Sequence, residues 1–130
     1  MNPPVETLRI SRQGREQLIK LRRQTGIEHW NVLCRWAFCV SLREKTPPIQ
    51  TIEKLDGGVE MTWKVFSGEH GEMYAALCWL RARKDGHSDG ADGAAACLRA
   101  HVHRGLSYLA SGHETKTLSD LATKWIGLVA

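Results

Sequence analysis

Between Trp30 and Val40 the chain reads Trp-Asn-Val-Leu-Cys-Arg-Trp-Ala-Phe-Cys-Val, and wound into a helix these residues leave almost no face for water. Only Glu28, Asn31 and Arg35 fall on a narrow polar stripe. A helix that is apolar nearly all round belongs in a core or at a subunit interface. The run therefore predicts a central helix over Trp30–Leu42, with Trp30, Leu33, Trp36 and Phe38 as its core or subunit-contact residues.

Polarity and charge are segregated around that helix within residues 5–44. In Glu6-Thr7-Leu8-Arg9-Ile10 the apolar Leu8 and Ile10 alternate with Thr7 and Arg9, the period-2 pattern of a half-buried strand. Ser11 suits an N-cap and Gly26 a C-terminal stop for a helix over Arg12–Thr25. At 100° per residue Gly14, Leu18 and Leu21 share one face; Arg12, Arg15, Arg22 and Arg23 take the opposite side, with Lys20 at its edge. Residues 1–45 hold nine Lys/Arg against four Asp/Glu, a balance of +5, while residues 46–130 hold nine against ten, a balance of −1. All the positive excess thus sits beside the apolar helix, as expected of a phosphate-facing surface. Arg9, Arg12, Arg15, Lys20, Arg22 and Arg23 are the expected contacts to nucleic acid, and the plain alternative is a solvated helix face.

Residues 45–58, with Pro47-Pro48 and Gly57-Gly58, read as a connecting loop. Val59, Met61, Trp63 and Val65 alternate with Glu60, Thr62, Lys64 and Phe66 and predict a second strand over 59–66. It would pair with the first strand, unless the first strand pairs with its copy in another subunit. Ser67 is the expected cap of a helix over Glu69–Arg83 with Met73, Ala76, Leu77 and Leu80 inside. Asp85–Gly93 reads as a mobile loop; its likeness to a calcium loop fails, because His87 holds the third position and Ala96 stands where the bidentate Glu belongs. A helix over Gly93–Ser111 follows, with Leu98, Val102, Leu106 and Leu109 at helical spacing. Residues 112–130 read as a tail with a short expected helix opened by Thr117 and containing Trp125. The expected fold is mainly α with one or two short β-strands. Its N-terminal half is strand-helix-helix, like a ribbon-helix-helix protein, its C-terminal half is helical, and 130 residues form one domain.

No apolar run approaches the length of a membrane span, and the N-terminus lacks a secretory pattern, so a cytoplasmic protein is expected. Cys34, Cys39, Cys78 and Cys97 form no C-x-x-C pair and read as small core hydrophobes in a reducing compartment. His101 and His103 are two apart on a helix and so cannot share a face as metal ligands; one at the surface and one half-buried is expected. With no phosphate-binding glycine loop either, no catalytic residue, metal ligand or cofactor is expected.

Val5-Glu6-Thr7-Leu8-Arg9-Ile10-Ser11, Leu18-Ile19-Lys20-Leu21 and above all Gly26-Ile27-Glu28-His29-Trp30-Asn31-Val32-Leu33-Cys34-Arg35-Trp36-Ala37-Phe38-Cys39 resemble the DndE family. Its members are small subunits of the bacterial DNA phosphorothioation (DNA sulfur modification) system. Val59-Glu60-Met61-Thr62-Trp63-Lys64 and His103-Arg104-Gly105-Leu106-Ser107-Tyr108-Leu109 resemble the family's later motifs in the same order, so the likeness spans about residues 5–110. The Gly/Asp loop at 85–93 and the tail beyond Gly112 match no family motif.

The resemblance implies a part in replacing a non-bridging phosphate oxygen of DNA with sulfur, alongside other Dnd proteins that supply the desulfurase and ATP-dependent chemistry. It further implies a homotetramer with a positive surface for double-stranded DNA and a preference for nicked duplex, and it carries no active site to transfer. The expected function is non-catalytic, sequence-independent binding of the DNA backbone. The alternatives are a ribbon-helix-helix regulator reading bases through Thr7 and Arg9 and an assembly scaffold that does not touch DNA.

Overall fold

In the computed structural model, residues 2–49 and 54–111 are described. The expected tail helix with Thr117 and Trp125 lies outside them. The order is β1 (Thr7–Ile10), α1 (Arg12–Thr25), α2 (Trp30–Leu42), β2 (Val59–Thr62), α3 (Trp63–Ser67), a 3-10 turn (Gly68–His70), α4 (Gly71–Lys84) and α5 (Ala91–Ser111). Among the described residues the protein is mainly helical with one two-stranded sheet.

The first three elements form where local chemistry directs them. Ser11 Oγ accepts the Gly14 N–H at 3.0 Å and caps α1. At the other end Gly26 takes a left-handed φ of 76° and returns its N–H to the Arg22 carbonyl. Leu18 and Leu21 are fully buried beneath α1. In β1 Leu8 and Ile10 point into the core while Thr7 and Arg9 point out. β1 pairs antiparallel with β2 of the same chain, in the register Leu8–Met61 and Arg9–Glu60.

α2 is central, as its apolar girth demands. Leu33, Cys34, Ala37 and Phe38 are fully buried, and Trp30 and Trp36 are half-buried. Phe38 meets the rings of Phe66, Tyr74 and His101 at centroid distances of 6.0, 6.0 and 6.3 Å, so one side chain joins four helices. α5 crosses α2 at Gly105, where a Cβ would lie 1.8 Å from the Ala37 carbonyl oxygen. The polar stripe on α2 is not solvated throughout. Asn31 Nδ2 donates to the Val65 carbonyl at 3.0 Å and Arg35 to the Phe66 carbonyl at 2.8 Å, satisfying the C-terminal end of α3.

Several expectations are corrected. The second strand ends at Thr62, whose Oγ1 accepts the Val65 N–H and starts α3. Trp63 and Phe66 both face inward, which a helix permits at i and i+3 and a strand does not. Ser67 therefore closes α3 instead of capping α4. α4 buries Tyr74, Ala75, Cys78, Arg81 and Ala82, nearly opposite the expected face, leaving Met73 and Leu80 50% and 62% exposed. The inward pull comes from Tyr74, packed against the Phe38 and Phe66 rings, and from Arg81, which has four oxygen acceptors inside.

Thiol and imidazole burial also differ from expectation. Cys34, Cys78 and Cys97 are buried, but Cys39 is exposed. His101 is fully buried on the face of α5 that holds Leu98, Val102 and Gly105. The loop after α4 is shorter than 85–93: Ala91–Gly93 already belong to α5.

Candidate nucleic-acid interface

α1 lies with Leu18 and Leu21 down, so its cationic side must face out, and Arg12, Arg15, Lys20, Arg22 and Arg23 are all exposed. From Arg12 to Arg23 the helix rises about 16 Å. Arg22 and Arg23 occupy the last turn, where a cation complements the negative end of the helix dipole.

The six expected contacts are not equivalent. Arg15 and Arg23 have no side-chain partner among the described residues. Arg22 lies over the Trp30 ring, its Cζ 5.1 Å from the centroid, a cation–π contact that holds the guanidinium near the ring. Arg12 Nε donates to the Asp56 carbonyl at 3.2 Å and has no carboxylate partner among the described residues. Lys20 Nζ is tethered to the Ala110 carbonyl at 2.7 Å. Arg9 forms an ion pair with Glu60 at 3.2 Å across the sheet, so the outward face of β1–β2 carries little net charge. The structure thus places Arg12, Arg15, Arg22 and Arg23 on one open face and sets Arg9 apart.

Where α2, α4 and α5 meet lies a buried polar network that sequence reasoning missed. His101 Nε2 donates to Asp85 Oδ2 at 2.7 Å, and His101 Nδ1 meets Ser41 Oγ at 2.7 Å. Arg81 Nε donates to Asp85 Oδ1 at 2.8 Å, and its remaining donors reach the carbonyls of Leu42, Glu44 and Thr46. Arg104 donates to Ser41 Oγ, to the Ser41 carbonyl and to the Thr46 carbonyl, each at 2.8 Å. The order Ser–His–Asp is that of a hydrolytic triad, yet Ser41 and His101 have no exposed surface, and Arg104 occupies the hydroxyl. No substrate reaches this serine; the network instead satisfies the carbonyls at the end of α2 and ties α2, α4 and α5 together. The available signal was His101 at an inward position of an apolar helix, since a buried imidazole needs partners.

Burial pushes the His101 imidazole below its ordinary value of 6.5, outweighing the pull of Asp85 toward the charged form. Burial would raise the Asp85 carboxyl, but hydrogen bonds from His101 and Arg81 outweigh that and hold it below 3.8. Below pH 6.5 the unfolded chain therefore binds more protons at His101 than the folded chain does. Folding stability should be level above that pH and fall below it, by at most about 1.4 kcal/mol per pH unit from this histidine. Asp85 adds a further loss only in strong acid. Denaturant unfolding followed from about pH 8 to about pH 5 checks this; a flat profile would contradict a neutral buried imidazole.

Fold and surface together describe a small, mainly helical protein packed around α2 with a cationic helix, α1, on its surface, and the comparisons give its class. The crystal structure of DndE from Escherichia coli B7A, involved in DNA phosphorothioation modification, superposes with a TM-score of 0.65 at 25% sequence identity, covering 83% of this chain and 99% of that one. No curated protein sequence matches the chain. The family model described as DNA sulphur modification protein DndE matches residues 7–117. The chain belongs to the DndE family.

No helix among the described residues is long and apolar enough to cross a membrane.

Proposed function

We propose that this chain is a non-catalytic DNA-binding subunit of a phosphorothioation machinery, acting in the cytoplasm with other Dnd proteins. It holds the backbone of double-stranded DNA, with a preference for nicked duplex. Membership of the DndE family supports the system, and the involvement of the E. coli B7A protein in phosphorothioation supports it further. The observation that carries DNA binding is the open face of α1, where Arg15 and Arg23 lack partners among the described residues and Arg22 lies over the Trp30 ring. Backbone contacts of this kind position a protein on DNA without reading sequence.

Salt titration tests it. About four to six phosphate contacts give a log–log slope of roughly −4 to −5. Binding that ignores salt would reject the reading. Intact, nicked and single-stranded DNA of one length, compared at fixed salt, should rank the nicked duplex first. The ribbon-helix-helix alternative loses its support, because β1 pairs with β2 of its own chain and Arg9 is occupied by Glu60.

The subunit is proposed to assemble as a homotetramer. Trp30 and Trp36 keep part of their rings uncovered, and Val65, Met73 and Leu80 are exposed. Obligate interfaces use apolar surface of this kind. Trp36→Asp is expected to shift the mass measured by light scattering from tetramer to monomer; an unchanged tetramer would remove Trp36 from the interface.

A further inference from the structure

We propose that the turn between α4 and α5 holds a divalent transition-metal site, zinc by preference, formed by Asp85, His87 and Cys97. One ligand atom from each of these residues lies within 4.8 Å of the other two. A tetrahedral zinc with bonds of about 2.0–2.3 Å spaces its donors about 3.3–3.8 Å apart, so closing on the ion asks shifts of at most about 1.5 Å in their separations. One sulfur, one imidazole nitrogen and one carboxylate oxygen suit zinc, whereas magnesium and calcium select all-oxygen sets. Water completes the fourth position.

Two of the three donors are idle in the fold. The His87 ring and the Cys97 thiol have no hydrogen-bond partner among the described residues, although Cys97 is fully buried and His87 partly so. The third is already oriented: Arg81 and His101 hold the two Asp85 oxygens at 2.8 and 2.7 Å. A carboxylate oxygen accepting one hydrogen bond keeps a lone pair for a metal. Groups hydrogen-bonded to a ligand in this manner fix its direction in metal sites generally.

The backbone brings these side chains together for local reasons. Gly86 and Gly90 take φ values of 83° and 103°, which turn the chain sharply after α4. The His87 N–H is anchored on the Ala82 carbonyl at 2.9 Å. The loop then lies on the first turn of α5 so closely that a Cβ at Gly93 would sit 1.9 Å from the Ser88 carbonyl oxygen and 3.3 Å from His87 Cβ. Cys97 follows one turn later.

The charges also balance, since zinc with an Asp85 carboxylate and a Cys97 thiolate is neutral. Without metal, burial beside Asp85 pushes the Cys97 thiol up to about 12. Binding must therefore release the thiol proton, and apparent affinity should rise with pH. Bound zinc would clamp the α4–α5 turn directly against the network that secures the end of α2.

The test uses the whole chain with Zn²⁺ alone, titrated against a chromophoric chelator, and with Co²⁺ as a spectroscopic substitute. One ion per chain is expected, with a thiolate-to-cobalt charge-transfer band in the near ultraviolet. Cys97→Ser should abolish the band, and Cys97→Ser and His87→Gln should each weaken zinc binding by at least about tenfold. Cys39→Ser, at an exposed thiol, should change neither. Zinc should raise the melting temperature of the parent and of Cys39→Ser alone. His87→Gln guards against a folding defect in Cys97→Ser, because the His87 ring makes no hydrogen bond among the described residues that its loss would break. Failure to bind one zinc, or binding that survives both substitutions, would overturn the site while leaving DNA binding untouched.

Discussion

Gly105→Ala should lower the melting temperature by about 10–15 °C, from a cost of roughly 3 kcal/mol or more at the α2–α5 crossing. The added Cβ would lie 1.8 Å from the Ala37 carbonyl oxygen, 2.3 Å from its carbon and 2.7 Å from Ala37 Cα. Those are backbone atoms of a central helix, so no side chain can swing aside, and the two helices would have to separate. Separation would strip packing from Leu33, Phe38, Val102 and Leu106, all of them fully buried. It would also pull Arg104 and His101 from Ser41. For a domain whose total stability is on the order of 5–15 kcal/mol, one methyl group would consume a large share.

Gly26→Ala is the matching control. Gly26 sits at φ 76° with nothing within 4 Å of the place an added methyl would take, so its cost is conformational, about 1–2 kcal/mol. Thermal melts of both variants separate the two requirements. If Gly105→Ala melts at or above Gly26→Ala, the close crossing is not what holds α2 in place.

The contrast between these glycines marks where sequence reading succeeds. Gly26, Ser11 and the Leu18/Leu21 face act within a few residues of themselves, so β1, α1 and α2 were legible with their ends nearly in place. Gly105 is required by Ala37, sixty-eight positions away in the chain, and nothing near it in sequence announces the contact. On α4 both sides are nearly equal in apolar content. The choice fell to Tyr74 and Arg81, whose partners Phe38, Leu42 and Glu44 arrive from α2 and the segment after it. The alternation from Val59 to Val65 was real, but Phe66 broke it, and helical burial of Trp63 with Phe66 overrode a short strand signal.

Sites behaved the same way. The cationic face was legible because it is periodic along one helix, but the partners that occupy Arg9 and Lys20 come from β2 and the end of α5. Asp85, His87 and Cys97 follow no metal-ligand spacing; a turn and the start of a new helix bring them together.

Reversing Arg12, Arg15, Arg22 and Arg23 to glutamate should abolish gel retardation of duplex DNA under salt conditions where the parent chain is fully retarded. Each charge lost removes one released counterion from the binding equilibrium, so neutralising all four to glutamine should flatten the log–log salt slope by roughly 3–4. Reversal goes further, because four carboxylates on the same 14-residue helix repel the phosphates that the arginines would have held. The single substitutions should not be equal. Arg15→Gln and Arg23→Gln remove cations with no partner among the described residues, and each should lower the slope by roughly one. Arg9→Gln should lower it less, since that guanidinium must first leave Glu60 and its departure exposes a carboxylate to the DNA. Arg22→Gln is the compound case: it removes a phosphate contact and also uncovers the Trp30 ring. Its effect should therefore appear in the melting temperature as well as in binding, whereas Arg15→Gln should leave the melting temperature unchanged. Circular dichroism and light scattering on the quadruple variant establish that fold and assembly survive. Undiminished retardation by a folded quadruple variant would move the DNA surface off α1 altogether, and equal effects of Arg9→Gln and Arg15→Gln would mean that the Arg9–Glu60 pair opens on binding.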